Sequence, residues 1–224
     1  MQDEVLKHTQ KIYKAAKSGQ HSFGEKIREI VIEIGIIVFA VTLSIWLHGW
    51  SEHRHQKNEA EEFLRDVNDD LAKDFKTMSD RKESLSRIFT SYSQIIKLLP
   101  KQLDTAHNIN INFTLNTFKA NDGNYEGFKS SGKIGYIENK ELKKSILEYY
   151  QEVLPVLYDV DKYHYAKHLE VWEMINSSES FSSPALRAKI ILDVQITDAL
   201  IKANNNAITN AREIQKEIDK ELSE

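Results

Sequence analysis

The chain has 224 residues, 41% of them hydrophobic and 29% charged, with three Pro, eight Gly and no Cys. That length holds one domain of ordinary size with an appendage, and the missing cysteines exclude disulfide scaffolds, thiolate zinc sites, iron–sulfur clusters and cysteine nucleophiles. A net charge of −4 lacks the concentrated basic footprint that a general nucleic-acid-binding role needs. Scarce Pro and Gly beside abundant Lys, Glu, Leu and Ile point to an all-α chain. The mean hydropathy of −0.50 resembles that of a soluble protein, but the average conceals one decisive segment.

Residues 1–29 form a leader with net charge +2. Residues 30–50 follow, reading IVIEIGIIVFAVTLSIWLHGW, with Glu33 as the only residue ionised at neutral pH. The apolar residues lie all round the helix rather than on one stripe, a pattern that suits lipid, and about 20 residues cross a ~30 Å hydrocarbon core. Trp46 and Trp50 mark one interfacial edge, while Lys26 and Arg28 mark the other. No small-residue cleavage site follows Leu47, so the segment reads as an uncleaved signal anchor. Lys11, Lys14, Lys17, Lys26 and Arg28 precede it, against Arg54, Lys57 and Arg65 after it. This bias puts the N-terminus in the cytoplasm and residues 51–224, net −5, on the periplasmic side of the inner membrane. Within the segment Gly35, Thr42 and Gly49 recur at intervals of seven, a spacing that permits close membrane-helix packing in a homo-oligomer or against a partner.

Beyond Ser51 the pattern stays helical. Leu64, Val67, Leu71, Phe75, Met78, Leu85, Ile88, Tyr92, Ile95 and Leu99 outline one face running to Pro100, with no Gly or Pro to interrupt it. Such a helix would continue the membrane segment as a rod. An Asn-rich stretch follows, with an apolar patch at Phe113, Leu115 and Phe118. Four of the eight glycines then fall at 123, 127, 132 and 135. Lacking a Gly-Lys-Ser/Thr ending, this stretch reads as a structured interhelix loop, with a short helix from Tyr125 to Ser131 and an interaction surface at Phe128, Ser131 and Gly132.

Asn139 is placed to cap a helix whose face continues through Leu142, Ile146, Tyr149, Tyr150, Val153, Leu157, Val160, Leu169 and Trp172, with Pro155 expected to kink or interrupt it. Ser183 and Pro184 open a last helix with a face at Ile191, Val194, Ile201, Ile208, Ala211, Ile218 and Leu222, and Asn204 and Asn205 in its seam. The expected architecture is a single N-terminal transmembrane helix continuing into an antiparallel bundle of about three long helices with a Gly-rich looped insertion.

Chemistry-bearing motifs are few. His48, Glu52 and His55 share a helical face, with Glu59 one turn on, but read as an interfacial residue followed by solvated charge. His164 and His168 lie four apart without the glutamate of a HExxH motif, and read as surface residues beside an aromatic core. Asp66, Asp69, Asp70 and Asp74 read as a solvated face, and no nucleophile or kinase signature is present. No catalytic, cofactor-binding or metal-binding residue is therefore expected.

The run EKIREIVIEIGIIVFAVTLSIWLHGWSEHRHQKNEAEEFL and the later FKSSGKIGYIENKEL, followed by ILEYY, carry a resemblance. They resemble a family of uncharacterised bacterial single-pass membrane proteins, a domain of unknown function. Its features are a Trp-containing charged junction, here Trp46 to Arg54, and a phenylalanine-to-glycine loop before an Asn-Lys-x-Leu helix start. Phe128, Ser130, Ser131, Gly132, Asn139, Lys140 and Leu142 match the latter, over most of residues 25–160. The resemblance implies topology without chemistry. The expected role is a membrane-anchored structural or interaction protein contacting an envelope complex. The alternative is a sensor ectodomain relaying a signal to a cytoplasmic partner.

Overall fold

The computed structural model describes residues 2–17, 23–98, 117–177 and 179–223, and every regular element among them is helical. The chain divides into two compact units, Met1–Asn58 and Glu59–Glu224.

The first unit contains α1 (Gln2–Lys17) and the beginning of α2 (Phe23–Lys97). α2 holds a window long and apolar enough to cross a membrane, and none of that window is buried. Phe39 and Ile45 are each 68% exposed, as no core helix of a soluble domain would leave them. His8 Nδ1 on α1 lies 3.0 Å from Glu33 Oε1 on α2.

The second unit is built on a heptad seam. From Ala60 one line of buried positions on α2 advances in steps of three and four: Leu64, Val67, Leu71, Asp74, Met78, Arg81, Leu85, Ile88, Tyr92 and Ile95, with Phe63 and Asp70 buried beside it. The sequence-derived face runs along this seam, except that Phe75, half-buried beside Asp74, stood in for the acid. α2 ends where the Arg187 guanidinium donates to the carbonyls of Ile96 and Leu98, at 3.0 and 3.2 Å. Leu99, Pro100, Phe113 and Leu115 lie outside the described residues.

The glycine-rich stretch is a descending arm. It contains α3 (Gly123–Ser130) and a 3₁₀ turn, Lys133–Tyr136, and it runs back along α2. Asn121 bonds to Asp74, Asn124 to Asp70, Phe128 stacks on Phe63 with ring centroids 4.0 Å apart, and Lys133 pairs with Glu59. Gly132 joins α3 to the turn at φ 76°, a left-handed conformation in which a side chain would be strained. Because this arm returns the chain to the level of Glu59, the next helices ascend parallel to α2. Arg81 meets Asp161, and Tyr92 lies beside His168.

That ascent comprises α4 (Lys140–Glu148), a π-helical turn (Tyr149–Val153) and α5 (Leu154–Asn176). Asn139 Oδ1 accepts from Leu142 N at 3.1 Å, the cap that the sequence calls for. Pro155 neither ends nor breaks the ascent. Proline cannot donate to the carbonyl one turn earlier. The turn just before it widens, with the Leu154 N–H reaching back to Tyr149 O. The widening also buries two consecutive tyrosines, Tyr149 and Tyr150, in an edge-to-face contact with centroids 5.1 Å apart.

α6 (Pro184–Glu221) descends antiparallel to both. Asn68 donates to Asp219 near one end, Asn204 to the Met78 carbonyl at 2.9 Å in the middle, and Arg187 caps α2 at the other. Ser183 occupies the N-cap position without a side-chain cap bond. The buried seam of α6 is Leu186, Ile190, Asp193, Thr197, Leu200, Asn204, Ala207, Ala211, Ile214 and Ile218. The sequence reading had the right period with the first half misphased, since Ile191 is 41% exposed. Asp193 and Thr197 hold the seam positions that apolar residues were expected to take.

Candidate functional site

Polar residues interrupt the seam of each long helix at one level. Arg81 on α2, Asp161, His164 and His168 on α5, and Asp193 and Thr197 on α6 are all buried. Arg81 forms a salt bridge with Asp161 Oδ1, while Asp161 Oδ2 accepts from Phe118 N at 2.9 Å and so ties the start of the described arm to α5. His168 Nδ1 lies 2.7 Å from Asp193 Oδ2, and His164 Nε2 is 3.1 Å from Thr197 Oγ1 and 3.8 Å from Asp193 Oδ1. The two imidazoles stack, with centroids 5.1 Å apart and an angle of 16° between their planes. Thr197 gives its own hydrogen to the Asp193 carbonyl at 2.7 Å, which makes His164 Nε2–H the donor in the His164–Thr197 bond.

A cavity of about 370 Å³ opens beside this cluster, lined by Arg81, Leu85, Ile88, Asp161, His164 and Tyr165 among others. It gives His164 a face toward space that a small solute can enter. Burial pushes the His164 pKa down to about 4, against the opposing pull of the Asp193 carboxylate, so the ring is neutral at physiological pH. Burial likewise raises the Tyr92 hydroxyl, with the Asp193 charge adding to the effect. A neutral imidazole held against a buried carboxylate suits proton exchange or metal ligation. Among the described residues, His164, His168 and Asp193 are the one group of three or more potential metal-ligating side chains whose ligand atoms all lie within 4.8 Å of one another.

A second polar level lies nearer the start of the seam. Asp74 is buried and accepts from Asn121 N and Nδ2, at 3.0 and 2.6 Å to one oxygen. Burial raises its pKa, with the Asn121 hydrogen bonds opposing. Tyr125 stacks on Tyr150 at 4.1 Å, and Gln151 donates to the Tyr125 hydroxyl at 2.8 Å. These contacts fasten the arm to the ascending helices.

The structure redistributes the residues expected from sequence. His164 and His168 are 4% and 0% exposed, which corrects their reading as surface residues: α6 covers them, and Asp193 and Thr197 satisfy their nitrogens. Asp70 and Asp74 are buried beneath the arm rather than solvated, because Asn124 and Asn121 supply donors to them; Asp66 and Asp69 are exposed, as expected. Phe128 is half-buried on Phe63, so much of its ring is spent within the fold, whereas Ser131 and Gly132 are exposed. His48, Glu52 and His55 are exposed on α2, where Glu52 accepts from Gln56 at 3.0 Å. A Cβ added at Gly35 or Gly49 would meet nothing within 4 Å, and the Thr42 hydroxyl bonds its own helix at Val38 O, 2.7 Å away.

Sequence reasoning missed Arg81, Asp161, Asp193 and Thr197. Their signal was present as polar residues at heptad positions, visible once the seam is phased on Leu186, Ile190, Leu200 and Asn204 rather than on Ile191. No family model matches this chain, and no curated protein or solved structure matches it significantly.

Proposed function

We propose that this chain is a membrane-anchored structural or interaction protein, without catalysis of its own. In this reading residues 30–50 cross the inner membrane with the N-terminus in the cytoplasm. The helical domain lies on the periplasmic side and contacts an envelope protein complex or a second copy of the chain. The observation that carries it is the apolar window of α2, none of which is buried and most of whose large apolar side chains are exposed. Leaving so many large apolar side chains in water costs about 25 cal/mol per Å², and lipid removes that cost. The open flanks of Gly35 and Gly49 support helix–helix packing within the bilayer. The resemblance to single-pass proteins of unknown function agrees with this topology, and nothing favours nucleic acid as a partner.

Because the sequence contains no cysteine, introduced single cysteines test the topology cleanly. In intact spheroplasts a membrane-impermeant thiol reagent is expected to label Glu83→Cys and to spare Lys11→Cys; the reverse pattern overturns the orientation. Purification in mild detergent followed by native mass spectrometry is expected to return a stoichiometric partner or a homo-oligomer. A lone protomer would sink the interaction reading.

A second reading, a ligand-sensing ectodomain, is favoured by one feature: the buried histidine pair beside a cavity. In it the signal passes through the membrane helix to a cytoplasmic partner.

A further inference from the structure

We infer that His164, His168 and Asp193 form a binding site for a divalent transition-metal ion of the imidazole-preferring class, Zn²⁺ foremost. The inference does not depend on membrane anchoring, and it assigns a ligand to a cluster that the interaction reading leaves unused.

Three independent observations carry it. The first is donor chemistry and spacing. Two imidazoles four apart on α5 and one carboxylate on the facing helix make a His₂Asp set, the kind that binds Zn²⁺ and leaves a fourth position for water or an exogenous ligand. Ligands about 2.0–2.1 Å from a tetrahedral ion lie roughly 3.3–3.5 Å from one another. Asp193 Oδ1 is 3.8 Å from His164 Nε2, Asp193 Oδ2 is 2.7 Å from His168 Nδ1, and the whole set lies within 4.8 Å. The two spacings to Asp193, 2.7 and 3.8 Å, bracket the required one.

The second observation is an unsatisfied charge-bearing atom. Asp193 is fully buried, yet its Oδ1 makes no hydrogen bond, although it points to within 3.8 Å of a ring nitrogen. Buried carboxylate oxygens without partners are rare because desolvation is so costly, and a cation ligated there removes the penalty. The Tyr92 hydroxyl, on a ring 5.6 Å from His168, is also buried without a hydrogen bond. The third observation is access. The cavity lined by His164 reaches the cluster from outside.

His164, neutral at physiological pH, moves its proton from Nε2 to Nδ1 so that Nε2 can ligate, and its bond to Thr197 is given up. At His168 the proton between Nδ1 and Asp193 is displaced to Nε2 or to solvent as the ion takes its place, and the metal replaces that hydrogen bond with a coordinate bond to the same carboxylate.

The test uses full-length protein in detergent, stripped with chelator and titrated with Zn²⁺ against a chromophoric competitor. One equivalent is expected to bind, and Asp193→Asn and His168→Gln are each expected to weaken it at least 100-fold. The double variant His48→Gln/His55→Gln is expected to leave affinity unchanged. No binding, or binding that survives Asp193→Asn but is lost in His48→Gln/His55→Gln, overturns the assignment. Should a buried-site variant fail to fold by circular dichroism, Co²⁺ substitution in the unaltered chain decides. Intense visible absorption from four-coordinate Co²⁺ supports the site, whereas the pale six-coordinate spectrum or no uptake shows a polar network that serves packing alone.

Discussion

Residues 30–50 and residues 60–95 belong to one helix, yet they solve opposite problems. The first stretch is apolar on every face and exposes Val38, Phe39, Val41 and Ile45. The second is mostly polar and buries a narrow stripe from Ala60 to Ile95 in steps of three and four. Stripe width tells what surrounds each part. A one-third stripe packs neighbouring helices on one side and leaves water on the other; an all-round coat suits the membrane crossing proposed above. The narrow stripe has a further property that the coat lacks. It admits charged residues, Asp74 and Arg81, because facing segments bring Asn121 and Asp161 to meet them.

The largest expected effect attacks that property. Asp161→Ala leaves Arg81 buried without its carboxylate and Phe118 N without an acceptor, so about 3–5 kcal/mol of unfolding free energy should disappear in denaturant titrations. A change below about 1 kcal/mol would mean that the ion pair is a solvated surface contact. Next, Leu71→Ala should cost about 3 kcal/mol, whereas Phe39→Ala should shift the same transition by no more than about 0.5 kcal/mol. Equal costs at the two positions would erase the contrast between coat and stripe. Asn139→Ala, which removes the cap of α4 and its bond to Glu221, should cost about 1 kcal/mol.

The smallest effect is one of sign. Asp74 faces Asp70 and Asp122, with Tyr149, Tyr150 and Tyr158 close by, and burial raises its folded pKa above the unfolded value of 3.8. The folded state therefore holds the Asp74 proton to higher pH, and stability from this group grows as pH falls through the folded pKa. Relative to Asp74→Asn, the unaltered chain should gain stability between pH 7 and pH 4. A relative loss over that window would show that the Asn121 hydrogen bonds outweigh desolvation.

Much of the fold was legible because helices advertise themselves locally. The seam from Leu64 to Ile95, the Asn139 cap and the polar seam residue Asn204 all follow from spacing within one segment. What was not legible depends on segments distant in sequence. His164 and His168 are flanked by Tyr163, Tyr165 and Lys167, an exterior-looking context, and only α6, 25 or more residues on, supplies the carboxylate and hydroxyl that let them be buried. Asp70 and Asp74 carry no local sign that the arm will cover them. Hydropathy also misleads at mixed seams. Ile191 outscores Asp193 on any scale, yet Asp193 takes the inside position because its partner waits there.

The π turn at Tyr149–Val153 can be counted rather than pictured. It is an α-helical turn carrying one additional residue, so it records a length difference within the ascending segment. Straightening that turn into α-helix without removing a residue would rotate everything from Leu154 onward by about 100° relative to α4. Leu142 and Ile146 would keep α4 docked, while Asp161, His164 and His168 swung off the seam together. The aim of the entire polar set at Arg81 and Asp193 is thus held by the widened turn at a point remote from all of them, and deleting one residue within that turn, which removes the need for it, should leave the aim unchanged.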